Sequence, residues 1–327
     1  MPQKIRQAGT DHKSVFTNPD TIGRHNLTNL NSTSNLAQTL GNFMNKTIKA
    51  PEPFWGKTRR AAMAVPLIGT FLAMASGAAS AAPDLPKDDF VGISFWIISA
   101  SMVAATVFFF LERDRVEAKW KTSLTVTGLV TLVAAIHYFY MRDVWVSTGE
   151  TPTVFRYIDW VITVPLQMIE FYLILAAVTT VSVAIFWRLL VGTLVMLIGG
   201  YLGEAGYLAV WPAFIIGMAG WAFILYEIFL GEASKVSASS APPPVKTAFN
   251  TLRLIVSVGW SIYPIGYFAG YLMGGVPADT ANALNIIYNF ADFVNKIAFG
   301  VIIWVVAVQM TELNKAKAAE AGKLAKA

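Results

Sequence analysis

The stretch Arg156-Tyr157-Ile158-Asp159-Trp160-Val161-Ile162-Thr163-Val164-Pro165-Leu166-Gln167-Met168-Ile169-Glu170 lies within an apolar segment, residues 154–179, yet carries two carboxylates and an arginine. About 20 mostly apolar residues suffice to cross a bilayer as a helix. Asp159 and Thr163 are one helical turn apart. Asp159 and Glu170 share a face to within about 20° and are separated by about 16 Å along the axis. An ionisable side chain at mid-membrane costs roughly 2.5–3.5 kcal/mol on insertion scales, so each is a functional candidate. Arg156, one turn before Asp159, is positioned to neutralise it.

The rest of the chain agrees with a membrane setting. Of 327 residues, 55% are hydrophobic and only 14% charged, and the mean hydropathy is +0.53. Soluble domains carry about 25% charged residues. Apolar segments recur at 91–111, 124–141, 154–179, 186–203, 209–230, 246–272 and 281–310, which predicts an all-α bundle of seven transmembrane helices within residues 83–311. The chain has no cysteine and only three histidines, which excludes disulfides and Cys-based metal sites and argues against a multi-His metal centre. The net charge of +5 sits in short loops and tails and is not read as nucleic-acid binding.

Residues 1–58 are polar and lack an apolar period. They read as a disordered extension or an over-long assigned start, Met44 being an alternative. Residues 59–82 read as a signal peptide or anchor, with a basic lead, an apolar run and the small-residue pattern Ala79-Ser80-Ala81. After the first segment come Arg113, Arg115, Lys119 and Lys121. Arg188 adjoins the third connection, Lys235 and Lys246 mark the fifth, and Lys315, Lys317, Lys323 and Lys326 follow the seventh, in the tail 312–327. The even-numbered connections hold only Arg142. By the positive-inside rule the odd connections and the C-terminus are cytoplasmic and the mature N-terminus is outside. The expected location is the cell (inner) membrane, with several passes through the lipid bilayer.

The seventh segment contains Asp292 and Lys296, four residues apart and so on one helical face. A structural ion pair is one reading. With Asp159 and Glu170 on the third segment, a proton path is the other. Lys296 would then lie at a depth between the two carboxylates. Glu170, in apolar surroundings, is expected to keep its proton. Glu204, Glu112 and Glu227 near segment ends read as solvated surface carboxylates, with a place for Glu204 on an outer release path as the alternative. Gly199-Gly200 and Gly266…Gly270 read as close-packing positions.

These residues resemble a known family. The run Arg156 to Tyr172 is similar to the third helix of the microbial (type 1) rhodopsins, and most of all the proteorhodopsins. Asn289-Phe290-Ala291-Asp292-Phe293-Val294-Asn295-Lys296 resembles their seventh helix. Phe110-Leu111-Glu112-Arg113-Asp114-Arg115, Trp211-Pro212-Ala213-Phe214-Ile215-Ile216-Gly217 and Gly259-Trp260-Ser261-Ile262-Tyr263-Pro264 also match, and the likeness spans about 88–309. It implies all-trans retinal held as a protonated Schiff base on Lys296. Asp159 then looks like the proton acceptor and counterion, Asp292 the second counterion, and Glu170 the proton donor, with Thr163 in the middle of an Asp-Thr-Glu triplet. Trp160, Trp260 and Tyr263 would sandwich the polyene, with Pro264 nearby, and Gln167 matches a colour-tuning position where Gln accompanies blue absorption. His137 would hydrogen-bond the counterion carboxylate near a protomer interface that includes Trp96, so that pumping fails in acid. A homo-oligomer, pentamer or hexamer, is implied as well.

The resemblance therefore predicts a light-driven ion transporter, not an enzyme, moving protons outward. A photosensor of the same fold is the alternative. Sensors commonly lack a carboxylate like Glu170, and sodium or chloride pumps replace the triplet. A retinal-free transporter or membrane enzyme finds no support in the form of a Ser/His/Asp arrangement or metal spacing.

Overall fold

A computed structural model of the chain describes residues 85–273 and 278–325, all within the compact unit Gly77–Ala327. The extension at 1–58 and the signal segment at 59–82 lie outside the described residues. Among the described residues seven helices are long and apolar enough to cross a membrane: α1 (Phe90–Arg115), α2 (Ala118–Thr148), α3 (Thr153–Ala176), α4 (Val183–Glu204), α5 (Val210–Ser240), α6 (Pro243–Leu272) and α7 (Ala281–Leu324). Consecutive helices pack side by side, and α7 returns to α1 and α2 to close the bundle. The protein is an all-α, multi-pass membrane protein.

Local chemistry sets several helix ends. The Asp89 carboxylate accepts the Gly92 N–H at 2.8 Å and caps α1, satisfying an amide that has no partner inside the helix. Gly149 ends α2 at φ 69°, a left-handed conformation that glycine adopts without a Cβ penalty. Prolines at the first turn open α6, where the missing N–H costs nothing.

Burial is inverted relative to a soluble protein. Arg156, Asp159, Thr163, Gln167 and Glu170 line the inner face of α3, while Val154, Ile158 and Ile162 face outward. The spacing 3, 4, 4, 3 is that of one helical face. Large apolar side chains such as Trp187, Val191, Val195 and Ile198 of α4 are exposed, and a surface of this kind needs lipid around it. Two apolar clusters flank the polar interior. One joins Phe95, Ile98 and Met102 of α1 to Ala134, Tyr138 and Met141 of α2. The larger includes Phe171, Phe249 and Phe299, whose rings meet edge to face at 5.2 and 6.1 Å.

Two stretches run further as helix than the hydropathy pattern predicts. The Ser/Pro-rich connection beginning at Ser234 is helical as far as Ser240, and the expected tail continues α7 to Leu324. Ala, Lys, Glu and Leu favour helix without needing lipid. Glu227 is not a solvated end residue. It is buried, receives Arg188 Nε at 2.9 Å and Nη2 at 3.2 Å, and accepts the Ala233 N–H at 2.9 Å. That cluster ties α4 to the bend in α5. Glu112 likewise accepts the indole N–H of Trp304 at 2.8 Å.

The small residues act as expected where α4 meets α5. A Cβ on Gly220 would come within 2.5 Å of the Met196 nitrogen and 2.8 Å of the Gly192 oxygen, and one on Gly199 within 2.9 Å of the Gly217 nitrogen. The backbones touch only because no side chain intervenes. Gly220→Leu should therefore destabilise the bundle by about 1–3 kcal/mol through overpacking, read as a lowered unfolding midpoint of the detergent-solubilised protein. An unchanged midpoint would show that this contact does not limit α4–α5 packing.

Candidate functional site

The polar interior converges on Lys296, the only lysine buried among the described residues. Its Nζ lies 2.9 Å from Asp159 Oδ2 of α3 and 2.9 Å from Asp292 Oδ2 of its own helix. Asp159 is 0% exposed and Lys296 3%. The tether reading and the functional reading of the seventh segment thus meet in one cluster, because the lysine binds a carboxylate on another helix as well as its own.

The two carboxylates are held unequally. Asp292 accepts the Tyr138 hydroxyl at 2.9 Å, the Tyr263 hydroxyl at 2.6 Å and the Trp160 indole N–H at 3.2 Å. Asp159 has Lys296 on one oxygen, while its Oδ1 has no hydrogen-bond partner in the protein. Thr163 donates to the backbone oxygen of Asp159 at 2.9 Å. Glu170 is buried toward the other end of α3. Thr127 donates weakly to its Oε1 at 3.4 Å, and Oε2 is unpartnered.

The helices at the site depart from α-geometry. A π-segment, Val294–Ala298, contains Lys296, and two others, Ile255–Gly259 and Phe268–Leu272, interrupt α6. Such bulges are a common feature of functional sites, and they disturb the carbonyl ladder. In a membrane every such carbonyl must find a donor within the protein. Here Trp221 donates to Val256 O at 3.0 Å, Asn295 to Gly259 O at 3.3 Å, and Gln167 to Asn295 O at 3.0 Å. Gln167 thus braces the π-turn beside Lys296.

One cavity opens beside the lysine. It is lined by Trp160, Gln167, Trp260, Tyr263, Asp292 and Lys296 together with Met196, Phe214 and Trp221. The lining is largely apolar and aromatic, and its charged residues are Asp292, Lys296 and Glu204.

Three expectations need correction. Arg156 makes no ion pair with Asp159. Its guanidinium bonds Asn285 Oδ1 at 3.3 Å and Asn289 Oδ1 at 3.1 Å and lies 5.3 Å from the centre of the Tyr288 ring. Arg156 is held by α7 amides, so its charge acts on the carboxylates only from a distance. His137 makes no hydrogen bond to Asp159. Its Nδ1 meets the Val133 carbonyl at 2.9 Å, one turn back on α2, and Trp96 packs edge-on against Phe139 at 5.5 Å. Glu204 is not a free surface group. It is half-buried and accepts hydroxyls from Tyr157 at 2.8 Å and Tyr271 at 3.1 Å.

Sequence reasoning missed Tyr138, Asn285 and Asn289. The last two had a usable signal, since Asn285, Asn289, Asp292 and Lys296 follow a 4, 3, 4 spacing on one face of α7. Tyr138 had none beyond lying next to His137.

Fold and site define a seven-helix membrane protein organised around a buried lysine with two carboxylate partners. A family profile described as bacteriorhodopsin-like protein matches residues 89–310. The chain is 60% identical over 243 residues to the blue-light absorbing proteorhodopsin of Gamma-proteobacterium Hot 75m4, covering 74% of this chain and 96% of that one. It is 57% identical, with the same coverage, to the green-light absorbing proteorhodopsin of Gamma-proteobacterium EBAC31A08. The crystal structure of a blue light-absorbing proteorhodopsin from Med12 superposes with a TM-score of 0.58 at 57% identity, covering 67% of this chain and 98% of that one. The chain belongs to the bacteriorhodopsin-like family.

Tyr138→Phe removes one of the donors on Asp292 while keeping the ring. A hydrogen bond to a charged group contributes about 1.5–3 kcal/mol, and the expected result is a loss of that size in denaturant titration. A loss below about 0.5 kcal/mol would mean that Asp292 does not depend on this donor.

Proposed function

We propose that the protein is a light-driven pump that moves protons outward across the cell membrane, with all-trans retinal attached at Lys296. The observation that carries this reading is the lysine nitrogen lying 2.9 Å from both Asp159 and Asp292, beside an aromatic cavity. The names of the relatives support it, since those proteins are called light-absorbing proteorhodopsins.

The residues present fit the cofactor. Small-molecule sites are mostly apolar clefts with a few polar groups that fix orientation, and the cavity, lined by aromatic and apolar side chains with Gln167, Asp292 and Lys296 among them, meets that description. Trp160, Trp260, Tyr263 and Pro264 would hold the chain of the retinal, and Lys296 would anchor it. When bound, retinal supplies the absorption of light and the change of shape that a photon drives, while the protein sets orientation and proton affinities.

The protein's own groups divide the work. Asp159 can take a proton on Oδ1 without giving up a hydrogen bond. Asp292, fixed by three donors, stays as the standing negative charge opposite Lys296. Glu170, buried and only weakly hydrogen-bonded, stores a proton and resupplies the lysine nitrogen. Two carboxylates in unlike surroundings, one emptying and one loaded, give transfer a direction. Gln167 places an amide next to the chromophore and supports blue absorption. We assign the Glu170 end to the cytoplasm, a reading that the charge pattern of the connections supports, and expect the protein to assemble as a pentamer or hexamer.

Illumination of an unbuffered suspension of cells expressing the chain with all-trans retinal should acidify the medium, and a protonophore should abolish the signal. A pigment that forms without acidification would contradict the pump. Glu170→Gln should keep its colour but slow recovery of the cycle on the order of 10²-fold, and recovery at the parent rate would remove Glu170 from the donor role.

A further inference from the structure

Two distorted turns meet where α6 and α7 pack, and one side chain joins them. The π-turn Val294–Ala298 carries Lys296, and the π-turn Ile255–Gly259 interrupts α6. Asn295 lies inside the first turn, next to Lys296, and is buried. Its Nδ2 donates to the main-chain oxygen of Gly259, the last residue of the second turn, and to the Tyr263 hydroxyl of the same helix, both at 3.3 Å. Its own main-chain oxygen accepts Gln167 Nε2 of α3 at 3.0 Å. A Cβ on Gly259 would collide with Asn295 Oδ1, so the amide lies directly against bare backbone.

The α6 turn is gripped near its other end as well. Trp221 Nε1 of α5 donates to the Val256 oxygen at 3.0 Å. Trp221, Tyr263, Asn295 and Lys296 all line the cavity, and Tyr263 also donates to Asp292 at 2.6 Å. Carbonyls freed by a π-turn need donors inside a membrane, but that need alone does not draw the donors from the cavity wall and from the residue beside the lysine. Such turns lack the regular helical ladder, so they are places where a helix can hinge. The half of α6 before its first π-turn carries Phe249, whose ring meets that of Phe171 at 5.2 Å. Phe171 follows Glu170 in the chain. Movement of that half of α6 therefore alters packing on the residue adjoining Glu170.

We propose that Asn295 is a positioning residue that couples the Lys296 turn to α6. A displacement of the Lys296 main chain during the light cycle passes through the Asn295 amide to the Gly259 carbonyl, and the first half of α6 swings about the Ile255–Gly259 turn. Gln167 holds the Asn295 carbonyl from the α3 side, so the side chain and not the whole turn carries the movement. The inference rests on retinal attached at Lys296, as read above, and is independent of the direction of transport.

The test places a spin label on α6 in the full chain reconstituted with retinal. The chain has no cysteine, and Leu254 is exposed just ahead of the turn, so Leu254→Cys accepts a single label. Illumination should change the label's mobility. Dividing that change by the flash-induced absorbance change compares variants per cycling pigment. In Asn295→Leu the ratio should fall about fivefold, the weight of one neutral hydrogen bond in an equilibrium between two arrangements. Gly259→Ala leaves Asn295 in the chain but drives its amide away, and should give the same loss. The two changes together should cost no more than either alone, because both remove one contact. If the amide only satisfies a carbonyl, both variants lower the unfolding midpoint and leave the ratio at the parent value, which would overturn the proposal. A parent pigment that cycles while its label stays unchanged would overturn it too. If the parent forms no pigment, the attachment at Lys296 falls, and the coupling falls with it.

Discussion

An ammonium group inside a membrane protein must be compensated, and in this chain Lys296 is compensated twice. Removing one partner from a buried ion pair costs about 3–5 kcal/mol because the other charge is left stranded. The bundle meets that constraint by bringing four helices to one point. Tyr138 of α2, Trp160 of α3 and Tyr263 of α6 all donate to Asp292 of α7, and Asp159 of α3 completes the cluster. With no water in the surrounding hydrocarbon to share the load, helix order and electrostatics become a single requirement.

From this cluster follows the asymmetry of the interior. Asp292 is saturated with donors and Asp159 is not, so the two anions beside one cation differ in their freedom to accept a proton. Along α3 lie Glu170 toward one end, buried and reached only weakly by Thr127, and Tyr157 toward the other, donating to Glu204. The π-turn at Lys296 and those in α6 serve the same centre. They loosen the backbone ladder near the cavity, and Trp221, Asn295 and Gln167 supply donors to carbonyls there. The side chains that shape the cavity are in this way also the ones that keep the distorted helices satisfied.

Much of this was legible in the residues because membrane helices obey two strong rules. Seven apolar runs of spanning length gave seven helices, and helical spacing along 156–170 placed Asp159, Thr163 and Glu170 on one face, where the structure has them. What could not be read were contacts that depend on a neighbouring helix. Arg156 is one turn from Asp159 in sequence, which suggested a pair, but Asn285 and Asn289 on α7 hold it instead. Glu204 and Glu227 stand at helix ends, which suggested water, yet tyrosines from α3 and α6 reach the first and Arg188 of α4 reaches the second. The π-turns left no trace in composition. Hydropathy also understates helices that leave the membrane, so the Ser234–Ser240 stretch and the end of α7 run on as helix where only a connection and a tail were expected.

The chemistry of the Lys296 side chain decides whether the cavity holds a pigment. Reduction of the retinal-reconstituted protein with borohydride, followed by proteolysis and mass spectrometry of the peptides, reads that directly. The mass of a retinyl group is expected on the peptide containing Lys296 and on no other lysine. An unmodified Lys296, or a retinyl group carried elsewhere, would contradict that attachment.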